Sequence, residues 1–223
     1  MMGKNFQDGE ISFEVPVADK PCVTHYWASG DLKSGKTPLV VAHGGPGVTH
    51  DYLDNLVKLT EIHGIPIVLY DQIGNGLSTH LPEKKGDTSF WTIQLFIDEL
   101  NNLITSLGIQ DRFDFLGHSW GGALGSTYAA TQPKGLRRLV LASSPAAAKD
   151  WMIAGLKWQE GLPKDVQDTI NKHEKAGTTD SPEYQEAIMM FYQKHVCRIQ
   201  PWPKNLLASF EWLGKDNTVY HTM

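Results

Sequence analysis

A hydroxyl set among glycines is the feature of this sequence best suited to chemistry. Ser119 lies in the frame G-x-S-x-G, read as Gly117-His118-Ser119-Trp120-Gly121 within "FLGHSWGGALG". A serine hydroxyl is a poor nucleophile until a base takes its proton. It gains reach when a sharp strand-to-helix turn lifts Oγ clear of a sheet and the helix N-terminus stabilises negative charge nearby. Bulky neighbours would clash in such a turn, which is what the glycines avoid. The competing role for Ser119 is the N-cap of an ordinary helix. A second stretch, "HGGPG" at 43–47, follows an apolar run ending at Ala42. Two glycines and a rigid proline bring backbone N–H groups close to a ligand. Such a loop, together with the N–H of the residue after a nucleophilic serine, can supply a pair of donors to an oxyanion. The candidate donors are the N–H groups of Gly45 and Trp120, and His43 and Gly44, on the same loop, are candidate substrate-binding residues. A third stretch, "YDQIGNGLS" at 70–78, carries Asp71, which reads as a cap of its own turn or of the next helix.

These stretches need elements to hold them. "PLVVAHG" (38–44), "IPIVLYD" (65–71), "FDFLGHS" (113–119) and "LRRLVLASS" (136–144) are apolar runs of strand length, as buried parallel strands would be. "ISFEVPV" (11–17) and "VTHYWAS" (23–29) read as an antiparallel hairpin. Helical spacing fills the intervals at 49–63, 89–107 and 121–132, the first two closed by Gly64 and Gly108. Strand–helix alternation implies a mostly parallel sheet with helices on both faces. After Pro145 the pattern is all-helical, broken at 161–163, 177–182, 201–203 and Gly214. The expected division is an α/β core over 1–145 and a helical cap or lid over 146–223.

The 223 residues, 41% of them hydrophobic, suffice for one sizeable core. A net charge of −5 with scattered basic residues points away from nucleic acid and anionic membranes. Cys22 and Cys197 stand in no metal or redox spacing and read as reduced core thiols. No His pair sits at ligand spacing on one helix, so no metal and no cofactor is expected. No apolar stretch approaches the ~20 residues of a membrane span, and the N-terminus shows no apolar signal core. The expectation is a soluble, cytoplasmic protein.

In this order, "HGGPG", "DQIGNGLS" and "GHSWGG" resemble the proline iminopeptidase family of serine hydrolases, over about Thr37 to Ser144. The tail "FEWLGKDNTVYHTM" is also similar to part of that family's cap. One departure is Ile73, where many members carry Arg. The resemblance implies an α/β-hydrolase fold and release of an N-terminal residue, often proline, from small peptides or amides. It implies Ser119 as nucleophile and Gly45 and Trp120 as oxyanion donors. It also implies Glu211, in "SFEWLG", as the carboxylate that receives the substrate's free α-amine; a buried ammonium needs such a partner.

In this fold the triad runs Ser, then Asp or Glu, then His. The resemblance places the acid and the base after further strands, which this chain does not display. The last strands and helix of the fold are therefore expected to be missing, as in the front portion of a longer hydrolase. Of the histidines after Ser119, His173 reads as solvated, His195 as a satisfied helix residue and His221 as part of a fraying end. His43 and His118 suit packing or orienting roles. Asp150 is a non-standard candidate acid. An uncovered sheet edge leads to an expectation of marginal stability, and a missing base to one of little peptidase activity. Two alternatives share the machinery: an esterase, lactonase or amidase, and a non-catalytic binding protein of the same fold.

Overall fold

The computed structural model describes residues 6–223. Six strands form one sheet: β1 (Gln7–Phe13), β2 (Cys22–Ser29), β3 (Leu39–Ala42), β4 (Ile67–Tyr70), β5 (Phe113–His118) and β6 (Leu136–Ala142). Their order across the sheet is β1-β2-β4-β3-β5-β6. β1 pairs antiparallel with β2, and β2 with β4; β4, β3, β5 and β6 run parallel. The mostly parallel arrangement and the antiparallel hairpin agree with the sequence pattern.

Both faces of the central strands are covered, which explains their unbroken apolar runs. Val40, Ala42, Val68 and Tyr70 face a core shared with Phe96, Leu100 and Leu103. Leu39, Val41, Ile67 and Leu69 face a second core with Trp27 and Leu53. Successive side chains thus serve opposite layers, as the period of a strand requires. Each fully buried Leu, Ile or Phe contributes roughly 1.5–3 kcal/mol. β6 is the outer strand on its side among the described residues, with Val140 46% and Leu141 49% exposed.

Three helical segments cross between the parallel strands. The first opens as a 3-10 turn over His50–Leu56 and becomes α1 only at Val57–His63, where Gly64 closes it at φ 61°. The second, α2 (Ile93–Ser106), starts later than the apolar spacing predicts. Asp87 accepts the amides of Ser89 and Phe90 and holds that stretch in a turn. Thr92 then caps the helix through Leu95 N–H. The third is α3 (Trp120–Ala130).

Past β6 come α4 (Ala148–Gln159), α5 (Lys164–Ala176), α6 (Pro182–His195), α7 (Lys204–Lys215) and α8 (Thr218–Thr222). Contacts group the chain into two compact units, one holding residues up to Ser144 together with Asn205–Met223, the other Pro145–Lys204. This departs from the division at 145/146, because the last 19 or so residues pack with the α/β part. Val219, 1% exposed, lies in the main core, and Ser209 Oγ accepts Thr49 N–H at 2.9 Å. The helical unit has its own small core of Leu162, Val166, Ile170 and Ala187.

Three further expectations need correction. His173 is buried rather than solvated. Thr178 and Ser181 hydroxyls meet its Nδ1 and Glu183 its Nε2, so a histidine on a charged helix finds polar partners inside. His195 stacks on Trp158 at 5.5 Å, but its Nε2 is buried without a hydrogen bond. Cys197 is half-buried rather than a core thiol; Cys22 is buried, and both are free.

Candidate active site

Ser119 sits on the bend between β5 and α3 with φ 53° and ψ −119°, a conformation that L-residues rarely adopt. Such backbone costs on the order of 1–3 kcal/mol and persists only where the surroundings enforce it. Here they do. Ser119 N–H donates to Ala142 O on β6 at 2.9 Å, and its carbonyl accepts Gly122 N–H at 2.9 Å. A methyl group on Gly117 would overlap the Gly121 carbonyl, and one on Gly121 would overlap the backbone of Ala42 and His43. Strand, bend and helix therefore pack backbone against backbone.

The hydroxyl itself is uncommitted. Ser119 occupies the N-cap position of α3, yet its side chain caps no amide, unlike Thr92 and Ser181, whose oxygens accept Leu95 and Tyr184 N–H. Within its compact unit Ser119 Oγ has no hydrogen-bond partner among the described residues. The residue is half-buried.

The 43–47 loop runs directly alongside. A Cβ built on Gly44 would stand 3.0 Å from Ser119 Cβ and 3.2 Å from both His118 Nδ1 and Tyr52 Oη. Gly45 follows at φ 110°, a region open to glycine. The Gly44 amide is spent, since it donates to Tyr52 Oη at 2.8 Å. The amides of Gly45 and Trp120 have no hydrogen-bond acceptor among the described residues. Two free N–H groups from different segments thus stand near Ser119, one of them in the first turn of α3, where the helix dipole favours an anion.

The histidines near this bend are committed elsewhere. His43 is fully buried; its Nε2 accepts Gln72 N–H at 3.0 Å and its Nδ1–H donates to Gly44 O at 2.9 Å. Burial holds its pKa below the ordinary 6.5 and keeps the ring neutral. Tyr52 Oη, having accepted Gly44 N–H, donates to His118 Nδ1 at 2.7 Å. Burial lowers the His118 pKa as well, and raises that of Tyr52. Asp71, 1% exposed, accepts His50 N–H at 3.0 Å, His50 Nδ1–H at 2.7 Å and Leu77 N–H at 3.0 Å. Burial works to raise its pKa, but His50 and these donors hold it below 3.8. Asp71 thus fastens the 71–77 turn and the 3-10 segment.

Glu211 is exposed on α7. Its helix is fixed to the 43–47 loop region: Ser209 bonds Thr49, and Leu213 and Tyr220 stand against Gly47. Glu211 lies two positions along the helix from both Ser209 and Leu213, which turns it off the face they present.

The sequence model described as alpha/beta hydrolase fold matches residues 37–211. A proline iminopeptidase of Heyndrickxia coagulans is 36% identical over 190 residues, 85% of this chain and 61% of the relative. The crystal structure of a proline iminopeptidase from Mycobacterium smegmatis matches with TM-score 0.79 and 40% identity, over 95% of this chain and 70% of that one. The chain belongs to the proline iminopeptidase family of α/β-hydrolases. The crystal structure of VinJ is similar too, with TM-score 0.89 and 50% identity over 96% of this chain and 70% of that one. The chain spans 56% to 61% of the length of the first curated relatives it matches. No helix among the described residues is long and apolar enough to cross a membrane.

Set within that family fold, three further polar residues brace the segments that frame Ser119, directly or through the 71–77 turn. Gln72 is fully buried; its Nε2 donates to His43 O at 3.0 Å and its Oε1 accepts Trp120 Nε1–H at 2.9 Å. Glu99, also fully buried, accepts Ile73 N–H at 2.8 Å and Thr24 Oγ1–H at 2.7 Å. Burial raises its pKa to about 8 against those donors. Tyr52 is the third. Each left a trace in the sequence: Gln72 inside the "DQIGNGLS" motif, Tyr52 on a helical apolar face, and Glu99 as a carboxylate on the buried stripe of α2. Ile73 is fully buried in the main core, where an Arg would need a different partner set.

Proposed function

We propose that this chain carries the nucleophile and oxyanion portion of a serine hydrolase that releases an N-terminal residue, often proline, from small peptides or amides. In this reading Ser119 Oγ attacks the carbonyl carbon of the first residue. The C–O bond to Ser119 forms as the carbonyl π electrons move onto oxygen, and the amides of Gly45 and Trp120 stabilise that oxyanion. Collapse expels the amine and leaves an acyl-enzyme, which water hydrolyses. The supporting observation is the uncapped, strained Ser119 beside two unspent amides. His43 and Gly44, buried and with the His43 ring nitrogens and the Gly44 N–H and carbonyl engaged, hold the shape of the 43–47 loop in this reading. For the substrate's free ammonium the family resemblance offers Glu211, which would have to reach it from the exposed side of α7, off the face that Ser209 and Leu213 present.

The reaction also needs a base for the serine proton and an acid for the leaving amine. The histidines in the unit that holds Ser119 make no hydrogen bond to it, and His43 has both nitrogens engaged. We therefore assign the 223-residue chain weak turnover by itself. Serine hydrolases without a triad histidine keep only the catalysis that binding and the oxyanion hole supply.

An activated prolyl ester with a free amine tests this reading by intact-mass detection of acyl-Ser119. The expected result is slow acylation, absent in Ser119→Ala and weakened in Glu211→Gln, with an N-blocked ester indifferent to Glu211. No acylation of Ser119 would remove the nucleophile assignment. Full-rate turnover of a proline amide, lost in Ser119→Ala, would show that the chain contains its base. A second reading, a binding protein of this fold that performs no chemistry, is favoured by the partnerless Ser119 hydroxyl. It predicts no acylation at all.

A further inference from the structure

The Gly45 and Trp120 amides belong to different segments, one after β3 and one at the start of α3. β3 and β5 pair through Leu39–Ala42 and Asp114–Gly117, so ladder bonds end before either amide. Beyond the ladder the two segments meet through the Gly121 backbone against Ala42 and His43, through Tyr52 between Gly44 and His118, and through Gln72. Gln72 touches both segments. Its side-chain amide donates to the carbonyl of His43 and accepts the Trp120 indole N–H. Its backbone N–H donates to the His43 ring, whose other nitrogen donates to Gly44 O. Every polar atom of the Gln72 side-chain amide is therefore directed at one arm or the other, in a site with no exposure to solvent. The Ile73 amide is fixed in turn by Glu99.

We propose that Gln72 is the positioning residue that sets the spacing of the two oxyanion donors. This rests on the oxyanion reading of Gly45 and Trp120. A primary amide suits the task because it carries a donor and an acceptor at opposite corners. A carboxylate would keep the Trp120 bond and face the His43 carbonyl with a second acceptor. A leucine would lose both bonds. Misplacing a reacting group by about 1 Å costs on the order of 100-fold in rate. Trp120 supplies a second handle, since Trp120→Phe keeps the backbone amide and the ring while removing the indole donor.

The test uses the full chain and its variants Gln72→Leu, Gln72→Glu, Trp120→Phe and the Gln72→Leu/Trp120→Phe double. A fluorophosphonate reports the second-order rate at Ser119. The 15N-indole spectrum reports the Trp120 N–H, assigned through Trp120→Phe. Gln72→Leu is expected to slow labelling about 10- to 100-fold, and the double variant to be no slower than the worse single. Gln72→Glu is expected to keep the indole resonance in place while still slowing labelling, a split that general loss of folding would not give. Strictly multiplicative rates in the double variant, or unchanged labelling in folded Gln72→Leu and Gln72→Glu, would overturn the proposal. Where the parent chain itself fails to label, the oxyanion reading fails. The proposal then falls with it, and the indole signal in Gln72→Leu shows only whether Gln72 holds the Trp120 side chain.

Discussion

Around Ser119 the α/β unit is packed backbone to backbone, whereas α4 of the helical unit buries none of its residues. The same contrast holds for single residue types. Gly117 and Gly121 have no room for a methyl group, while a Cβ on Gly155, in α4, meets nothing within 4 Å. Ser119 occupies a cap position without capping, while Ser181 caps α6. Glycine and serine thus do opposite things in the two units. In the first they allow a strained bend and leave a hydroxyl free; in the second they serve, or merely tolerate, ordinary helix formation.

The largest effects should come from the glycines. Gly121→Ala is expected to cost more than about 4 kcal/mol, or to prevent folding, because backbone atoms of β3 cannot move aside. Gly155→Ala should instead stabilise by up to about 1 kcal/mol through helix propensity. Denaturant melts of both variants check this. Equal effects would erase the contrast between the units.

Next in size is the response of Glu99 to pH. Its pKa is raised to about 8 in the folded chain, from an ordinary 4.5. Across that window the folded state holds a proton that the unfolded chain has lost, so stability falls as pH rises from about 4.5 towards 8. Glu99→Gln keeps an acceptor for Ile73 N–H and carries no charge. It should flatten that slope and gain about 1–3 kcal/mol over the parent at pH 9. Melts across pH 5–9 read the difference. An unchanged slope would place the titration elsewhere.

Smaller effects separate the serines. Ser181→Ala and Thr92→Ala should each cost about 1 kcal/mol as lost caps. Ser119→Ala should leave stability within about 0.5 kcal/mol, having no cap bond to lose. Ser119→Gly should stabilise by about 1 kcal/mol by relieving the positive φ. A loss of stability in Ser119→Ala equal to that in Ser181→Ala would mean that Ser119 is a structural cap. Smallest of all, Trp151→Gln on the exposed face of α4 should shift the midpoint by less than about 0.5 kcal/mol.

Much of the α/β unit was legible from residue order. Apolar runs of four to seven residues marked β3, β4 and β5 because both faces of a parallel strand are buried. The glycines of "GHSWGG" and "HGGPG" marked the bend and the loop, since only they satisfy backbone approaches this close. What sequence order did not reveal depends on contacts between distant segments. Nothing in "SFEWLG" or "NTVYHT" announces that Ser209 will bond Thr49, or that Val219 will pack against Gly74. Gln72 showed only as a motif letter, because its two partners lie 29 and 48 residues away. His173 looked solvated because its partners come from the next turn and helix rather than its own.

The account turns on a serine beside two free amides that, within its compact unit, meets no imidazole among the described residues. Its most direct test is the pH dependence of fluorophosphonate labelling at Ser119 in the purified chain, with Ser119→Ala as control. Labelling confined to Ser119, slow near pH 7 and rising about tenfold per pH unit without a plateau between 6 and 8, is the predicted result. A plateau with an apparent pKa of about 6–7.5 would reveal a histidine serving the hydroxyl, and absence of label even at pH 10 would show that the hydroxyl does not face a reactive pocket.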